Sequence, residues 1–222
     1  MNTKSIRESI IRIKNALPPD VLLVAAAKTR TVEEIQTAIE AGIKIIGQNY
    51  VQEAERIYPF IGDAVQWHLI GHLQRNKAKK AVKIFDMIET IDSVKIAEIV
   101  DKRCAAIGKT MPVLIEINSG EESNKTGVLP QDVDEIVQVT SKLPHIRIMG
   151  LMTMGPRFGD PQKARPYFKA TKLAFYRLKK ANIPNVEMRY LSMGMSNTYK
   201  IAIEEGANIV RIGTLLFGER QA

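Results

Sequence analysis

The chain has 222 residues, 45% of them hydrophobic and 25% charged, and a net charge of +8 from 32 basic and 24 acidic side chains. That balance excludes a disordered chain, and the length suits one large α/β unit. One cysteine, Cys104, excludes an internal disulfide and a thiolate metal cluster, and fits a reducing cytosol.

Residues 1–8 lack the apolar run of a signal peptide, and no later window approaches the roughly 18 apolar residues of a membrane span. A cytoplasmic protein with no membrane partner is the expectation. The positive charge admits a polyanionic ligand. Its densest cluster, Arg75, Lys77, Lys79, Lys80 and Lys83, falls on an expected helix without interleaved aromatics, which reads as a solvated face. No dedicated nucleic-acid partner is expected.

In chain order, Ile6, Ile10, Ile13 and Leu17 stand at helical spacing, so an amphipathic helix precedes the first strand and ends at Pro18-Pro19. It is expected to cross the bottom of a barrel. Residues 21–28, Val-Leu-Leu-Val-Ala-Ala-Ala-Lys, are an apolar run that stops on one charged side chain and reads as a strand buried on both faces. Thr31 to Ala41 reads as a helix, followed by strand 43–46, helix to Ile57 and strand 65–70. The alternation continues through strand 87–91, helix 92–107, strand 112–118, helix 130–143, strand 146–152, helix 161–181, strand 186–191, a short helix to Gly206 and strand 208–212. Eight strands alternating with helices predict a single (β/α)8 TIM barrel over 1–222 with an extra N-terminal helix.

A barrel carries its chemistry at the C-terminal ends of its strands. Those ends hold Lys28, Asn49, His72, Asn118 with Ser119, Thr153, Ser192 with Ser196, and Arg211-Ile212-Gly213-Thr214. Period-2 alternation sets Leu22, Val24, Ala26 and Lys28 on one face, with the small Ala-Ala-Ala run leaving a hollow beside the ammonium. A lysine drawn partly out of water is suited to Schiff-base chemistry. Ser196, Gly213 and Thr214 form a phosphate cradle after strands 7 and 8, where barrels commonly bind phosphate. A Schiff-base lysine facing a phosphate site is the minimum equipment for pyridoxal 5'-phosphate, and Arg211 could meet its pyridine nitrogen. The carboxylates lack ligand spacing around His68 and His72, so no metal is expected. The polar loop 120–125 is a candidate lid.

These stretches resemble the pyridoxal phosphate homeostasis proteins (the YggS/PROSC family), whose fold is similar to the alanine racemase barrel. The resemblance rests on residues 23–29, 47–53, 67–77, 116–118 with 125–127, 150–154, 191–196 and 210–214 with 217–218, in the family order and over nearly the whole length. It implies that Lys28 is the aldimine lysine, Asn49 a polar neighbour of the ring, Arg211 the partner of the pyridine nitrogen, and Ser196, Gly213 and Thr214 the phosphate ligands. Gln48 stands where the family usually has glutamate. The implied function is to buffer or deliver pyridoxal phosphate without efficient turnover, with pyridoxal-phosphate-dependent apoenzymes as possible partners. An amino-acid racemase and a cofactor-free Schiff-base aldolase are the alternatives; a yellow internal aldimine separates the aldolase from the others. Racemisation needs a second base, which alanine racemases take from a further β-rich domain. Of the six tyrosines here only Tyr50 and Tyr199 fall near strand-end loops.

Overall fold

The computed structural model describes residues 3–122, 126–155 and 159–219. The strands β1 (Leu22–Ala26), β2 (Ile45–Gln48), β3 (Gln66–Leu69), β4 (Met87–Ile91), β5 (Met111–Ile117), β6 (Ile146–Thr153), β7 (Val186–Ser192) and β8 (Ile209–Ile212) follow the expected order. They close into a parallel barrel in which β8 pairs with β1. The helices α1 (Thr3–Ala16), α2 (Val32–Glu40), α3 (Val51–Ile61), α4 (Ala78–Ile84), α5 (Val94–Ala105), α6 (Val133–Thr140), α7 (Arg165–Ala181), α8 (Tyr199–Glu204) and α9 (Thr214–Phe217) surround it. None among the described residues is long and apolar enough to cross a membrane.

Local chemistry explains the boundaries. Thr31 and Glu34 form a reciprocal capping box that starts α2, and the Ser93 hydroxyl accepts the Ile96 N–H to start α5. The α7 helix stops at Asn182, which takes the left-handed conformation that asparagine tolerates. Along each strand the side chains split between two cores. Ala25, Ile46, Trp67 and Ile88 face the helix layer, whereas Val24, Ile45, Ile70 and Ile209 meet inside the barrel. Met87, Leu114, Met149 and Met152 fill the other side of that interior.

One expectation fails here. The α1 helix does not cross the barrel bottom; it packs in the outer ring against α2 and α9, with Ile6, Ile10 and Ile13 buried in the main core. The helix that closes the chain after β8 is only one turn long, so β1 and β8 would otherwise keep an apolar outer face in water. The α1 stripe covers that gap.

Candidate active site

The first strand ends at Ala26, and Lys28 stands half-buried just beyond it at the barrel mouth. Its neighbour Thr29 has φ 63°, a left-handed conformation unusual for a β-branched residue. The Thr29 N–H donates to Glu53 Oε2 at 3.1 Å, so a carboxylate from α3 secures the strained turn that presents Lys28. Sequence alone gave no sign of that strain. The alanine triplet before Lys28 does not share one face. Ala25 and Ala27 face the helix layer, and only Ala26 packs toward the interior. Ala26 pairs with Gly47 across the β1–β2 ladder, and Val24 and Ile70 pack closely against that glycine. A Cβ on Gly47 would lie 2.7 Å from Val24 and 2.8 Å from Ile70.

Asn49 follows β2 with the inward parity of Ile45 and Gly47, and lines a depression with Tyr50, Gly71, His72 and Lys77. Gln48 points the other way. It is fully buried, and its Nε2 donates to the Ala27 carbonyl at 3.3 Å while Oε1 has no hydrogen-bond partner. The residue thus steadies the backbone just before Lys28 from outside the barrel.

Beside this strand end, after β7 and β8, the Ser196 hydroxyl accepts the backbone N–H groups of Gly213 and Leu215, each at 3.4 Å. Those distances are long for hydrogen bonds, and the two N–H groups and the hydroxyl together form a donor set open to an anionic oxygen. Gly213 is required by close approach, since a Cβ there would stand 3.1 Å from the Ala26 carbonyl oxygen. Thr214 opens α9 and is exposed. Leu215 is a backbone donor that the sequence reading missed, because an N–H contribution carries no side-chain signature.

Arg211 points into the barrel and is buried. Its Nη1 donates to Ser192 Oγ and its Nη2 to the Thr153 carbonyl at 2.8 Å. Ser192 Oγ donates in turn to Glu89 Oε2 at 2.6 Å, and Glu89 Oε1 accepts from His68 Nδ1 at 2.7 Å. Burial pushes the Glu89 carboxyl up, but the hydrogen bond and charge of His68, the Arg211 cation and the Ser192 hydroxyl outweigh it and hold it below the ordinary range. Burial lowers the Arg211 guanidinium from its usual value, opposed by Glu89 and Glu116; a guanidinium still keeps its charge. Glu116 moves the opposite way from Glu89: burial pushes its carboxyl up, against a hydrogen bond from Thr126. Glu89 was the largest omission of the sequence reading. Its signal was a lone carboxylate inside the apolar strand Met87–Ile91.

His68 therefore belongs to this internal network, and His72 pairs with Asp92 at 2.9 Å. Among the described residues no group of three or more His, Cys, Asp or Glu side chains is arranged to hold a metal. The candidate lid, 120–125, lies partly outside the described residues, at 123–125; its described portion ends at Glu122, whose backbone exchanges hydrogen bonds with the Asn118 side chain.

A closed parallel barrel with a lysine after its first strand and a donor cradle after its last two is the alanine racemase type of barrel. The profile of the family described as "Alanine racemase, N-terminal domain" matches residues 1–221. The chain belongs to that family, as one of its pyridoxal phosphate homeostasis proteins. The protein of that name from Aquifex aeolicus is 42% identical over 200 residues, covering 90% of this chain and 87% of its own. The one from Escherichia coli K12 is 35% identical over 207 residues, covering 91% and 87%. PipY of Synechococcus elongatus, solved with PLP bound, superposes with a TM-score of 0.88 at 32% identity, covering 96% of this chain and all of that one. Alanine racemase of Clostridium difficile shares the fold alone, with a TM-score of 0.82 at 18% identity; this chain covers 58% of it.

Proposed function

We propose that the barrel is one pyridoxal 5'-phosphate binding domain that holds the cofactor covalently on Lys28 and keeps it in reserve for other proteins, without efficient turnover. The observation that carries this reading is the convergence of the Gly213 and Leu215 N–H groups on the Ser196 hydroxyl, beside the end of β1 that Lys28 follows. PLP bound in PipY, at 32% identity over nearly the whole chain, supports the same ligand.

The residues fit the group. Neutral donors at a short helix start suit a phosphate ester, and Arg211 presents a cation at the base of the pocket. When bound, the cofactor supplies an aldehyde and an electron-withdrawing ring. Lys28 would hold the group through its Nζ, which would take the place of the aldehyde oxygen with loss of one water. Asn49 would border the ring from the end of β2, Ser196, Gly213, Leu215 and Thr214 would hold the phosphate, and Arg211 would meet the ring nitrogen.

Weak catalysis follows from the same groups. A cation opposite the ring nitrogen disfavours its protonation, so negative charge at a substrate α-carbon is poorly stabilised. Tyr199 is packed into the main core and Tyr50 is 60% exposed on the rim, so neither stands as a shielded base opposite Lys28. Delivery to apoenzymes that require the cofactor, in the cytosol, completes the reading.

Borohydride reduction of the loaded protein followed by peptide mapping tests the attachment. A pyridoxyl group on Lys28 is expected, and a label on another lysine would refute the assignment. α-Proton exchange of alanine in deuterated water tests the second half: fast exchange abolished by Lys28→Ala would make the protein an enzyme.

A further inference from the structure

Two buried carboxyl groups lie near Arg211 inside the barrel, and their surroundings differ. Glu89, on β4, is fully buried and has both oxygens occupied: Oε1 by His68 Nδ1 from β3, Oε2 by Ser192 Oγ from β7. The same Oε2 stands 3.8 Å from Arg211 Nη1. Ser192 Oγ bridges the two, accepting from the arginine while donating to the carboxylate. A second tether runs from Nη2 to the Thr153 carbonyl on β6. The guanidinium is therefore fixed at two nitrogens by groups from two strands, with a carboxylate behind one of them.

Glu116, on β5, is 2% exposed; its Oε1 accepts from Thr126 Oγ1 at 3.1 Å and its Oε2 has no hydrogen-bond partner. Burial pushes this carboxyl up, so its charge is held less firmly beside the guanidinium than that of Glu89, whose two oxygens are both hydrogen-bonded. A buried arginine beside an unbalanced site would be costly, whereas the hydrogen-bonded pair with an ionised Glu89 is self-consistent.

We propose that Glu89 is a positioning residue of the cofactor site: acting through the Ser192 hydroxyl, it fixes the orientation of Arg211 and supplies the charge that keeps this cation buried beneath the ring nitrogen. The inference rests on the reading above that Arg211 faces that nitrogen. Its consequence is electronic. A guanidinium held in place keeps the ring nitrogen unprotonated, and a guanidinium released from Ser192 and Glu89 turns away and lets it take a proton.

The test is the nitrogen-15 resonance of ring-labelled pyridoxal phosphate on the full chain, in the parent protein and in Ser192→Ala and Glu89→Gln. The parent resonance is expected in the unprotonated range. Both variants are expected to move it toward the protonated range and to bind the cofactor about tenfold more weakly, the loss of a charge-assisted bond. A merely structural role would lower the unfolding temperature and leave the resonance where it was. Ser192→Ala keeps both charges, so it carries the test if Glu89→Gln does not fold. An unprotonated nitrogen in the parent that stays unprotonated in the variants overturns the inference alone. A nitrogen already protonated in the parent overturns the reading of Arg211 and this inference with it.

Discussion

Gly150→Ala should destabilise the protein severely, and the reason can be worked from one position on β6. Gly150 has φ 148°, a backbone conformation that L side chains rarely adopt, and it sits where the pairing of β6 with both neighbours shifts register. A Cβ built there falls 1.8 Å from the Tyr190 carbonyl oxygen on β7 and 2.7 Å from its carbonyl carbon. Both are backbone atoms of a paired strand, so no rotamer change relieves the contact. Strained backbone contributes about 1 to 3 kcal/mol and overpacking about as much again, for a loss of about 2 to 6 kcal/mol. Against a typical total of about 5 to 15 kcal/mol that is a large share. The displaced strands end in Thr153 and Ser192, the two tethers of Arg211, so cofactor affinity should fall as well. Urea unfolding followed by circular dichroism measures the loss. Gly62→Ala is the control: Gly62 also has positive φ, at 56°, but a Cβ there meets nothing within 4 Å, so it should cost the backbone strain alone, about 1 to 3 kcal/mol. Equal unfolding midpoints for the two variants would refute the steric argument.

Ser196→Ala should weaken pyridoxal phosphate binding by about 1 to 3 kcal/mol without a matching loss of stability, read by fluorescence titration; unchanged affinity would remove Ser196 from the cradle. For Glu116 the folded-state carboxyl lies above its unfolded value, so the stability it contributes is full below about pH 4.3 and is lost as pH rises through the folded value. Glu116→Gln should accordingly match the parent near pH 4 and exceed it at pH 8 in thermal unfolding, by about 1.4 kcal/mol for each unit of that upward shift; parallel curves would contradict it. Lys109 Nζ donates to the Val82 and Phe85 carbonyls at 3.0 and 2.7 Å, closing the C-terminal end of α4, and Lys109→Met should cost about 1 to 2 kcal/mol in urea unfolding while leaving the cofactor spectrum unchanged.

The barrel and the residues at its rim are legible along the chain. Apolar runs of strand length alternate with helical stripes, and such periodicity is a local property that needs no knowledge of neighbours. The run from Val21 to Ala27, broken by Lys28, therefore marked the first strand and its end, and Ser196 and Arg211-Ile212-Gly213 stood out because polar residues and glycine follow apolar strands there. Strand ends came within about two residues at most positions, as is usual where capping decides the boundary. The contacts that cross the barrel are not legible in this way. Glu89 and Ser192 are 103 residues apart and meet through closure of the sheet, which no local pattern encodes. The pairing of Thr29 with Glu53, the close packing of Val24 and Ile70 on Gly47, the Leu215 N–H beside Ser196 and the seat of α1 beside the short α9 share that origin. In each case the deciding contact joins segments that are distant in sequence. Its chemistry depends on which face of each strand closure turns inward.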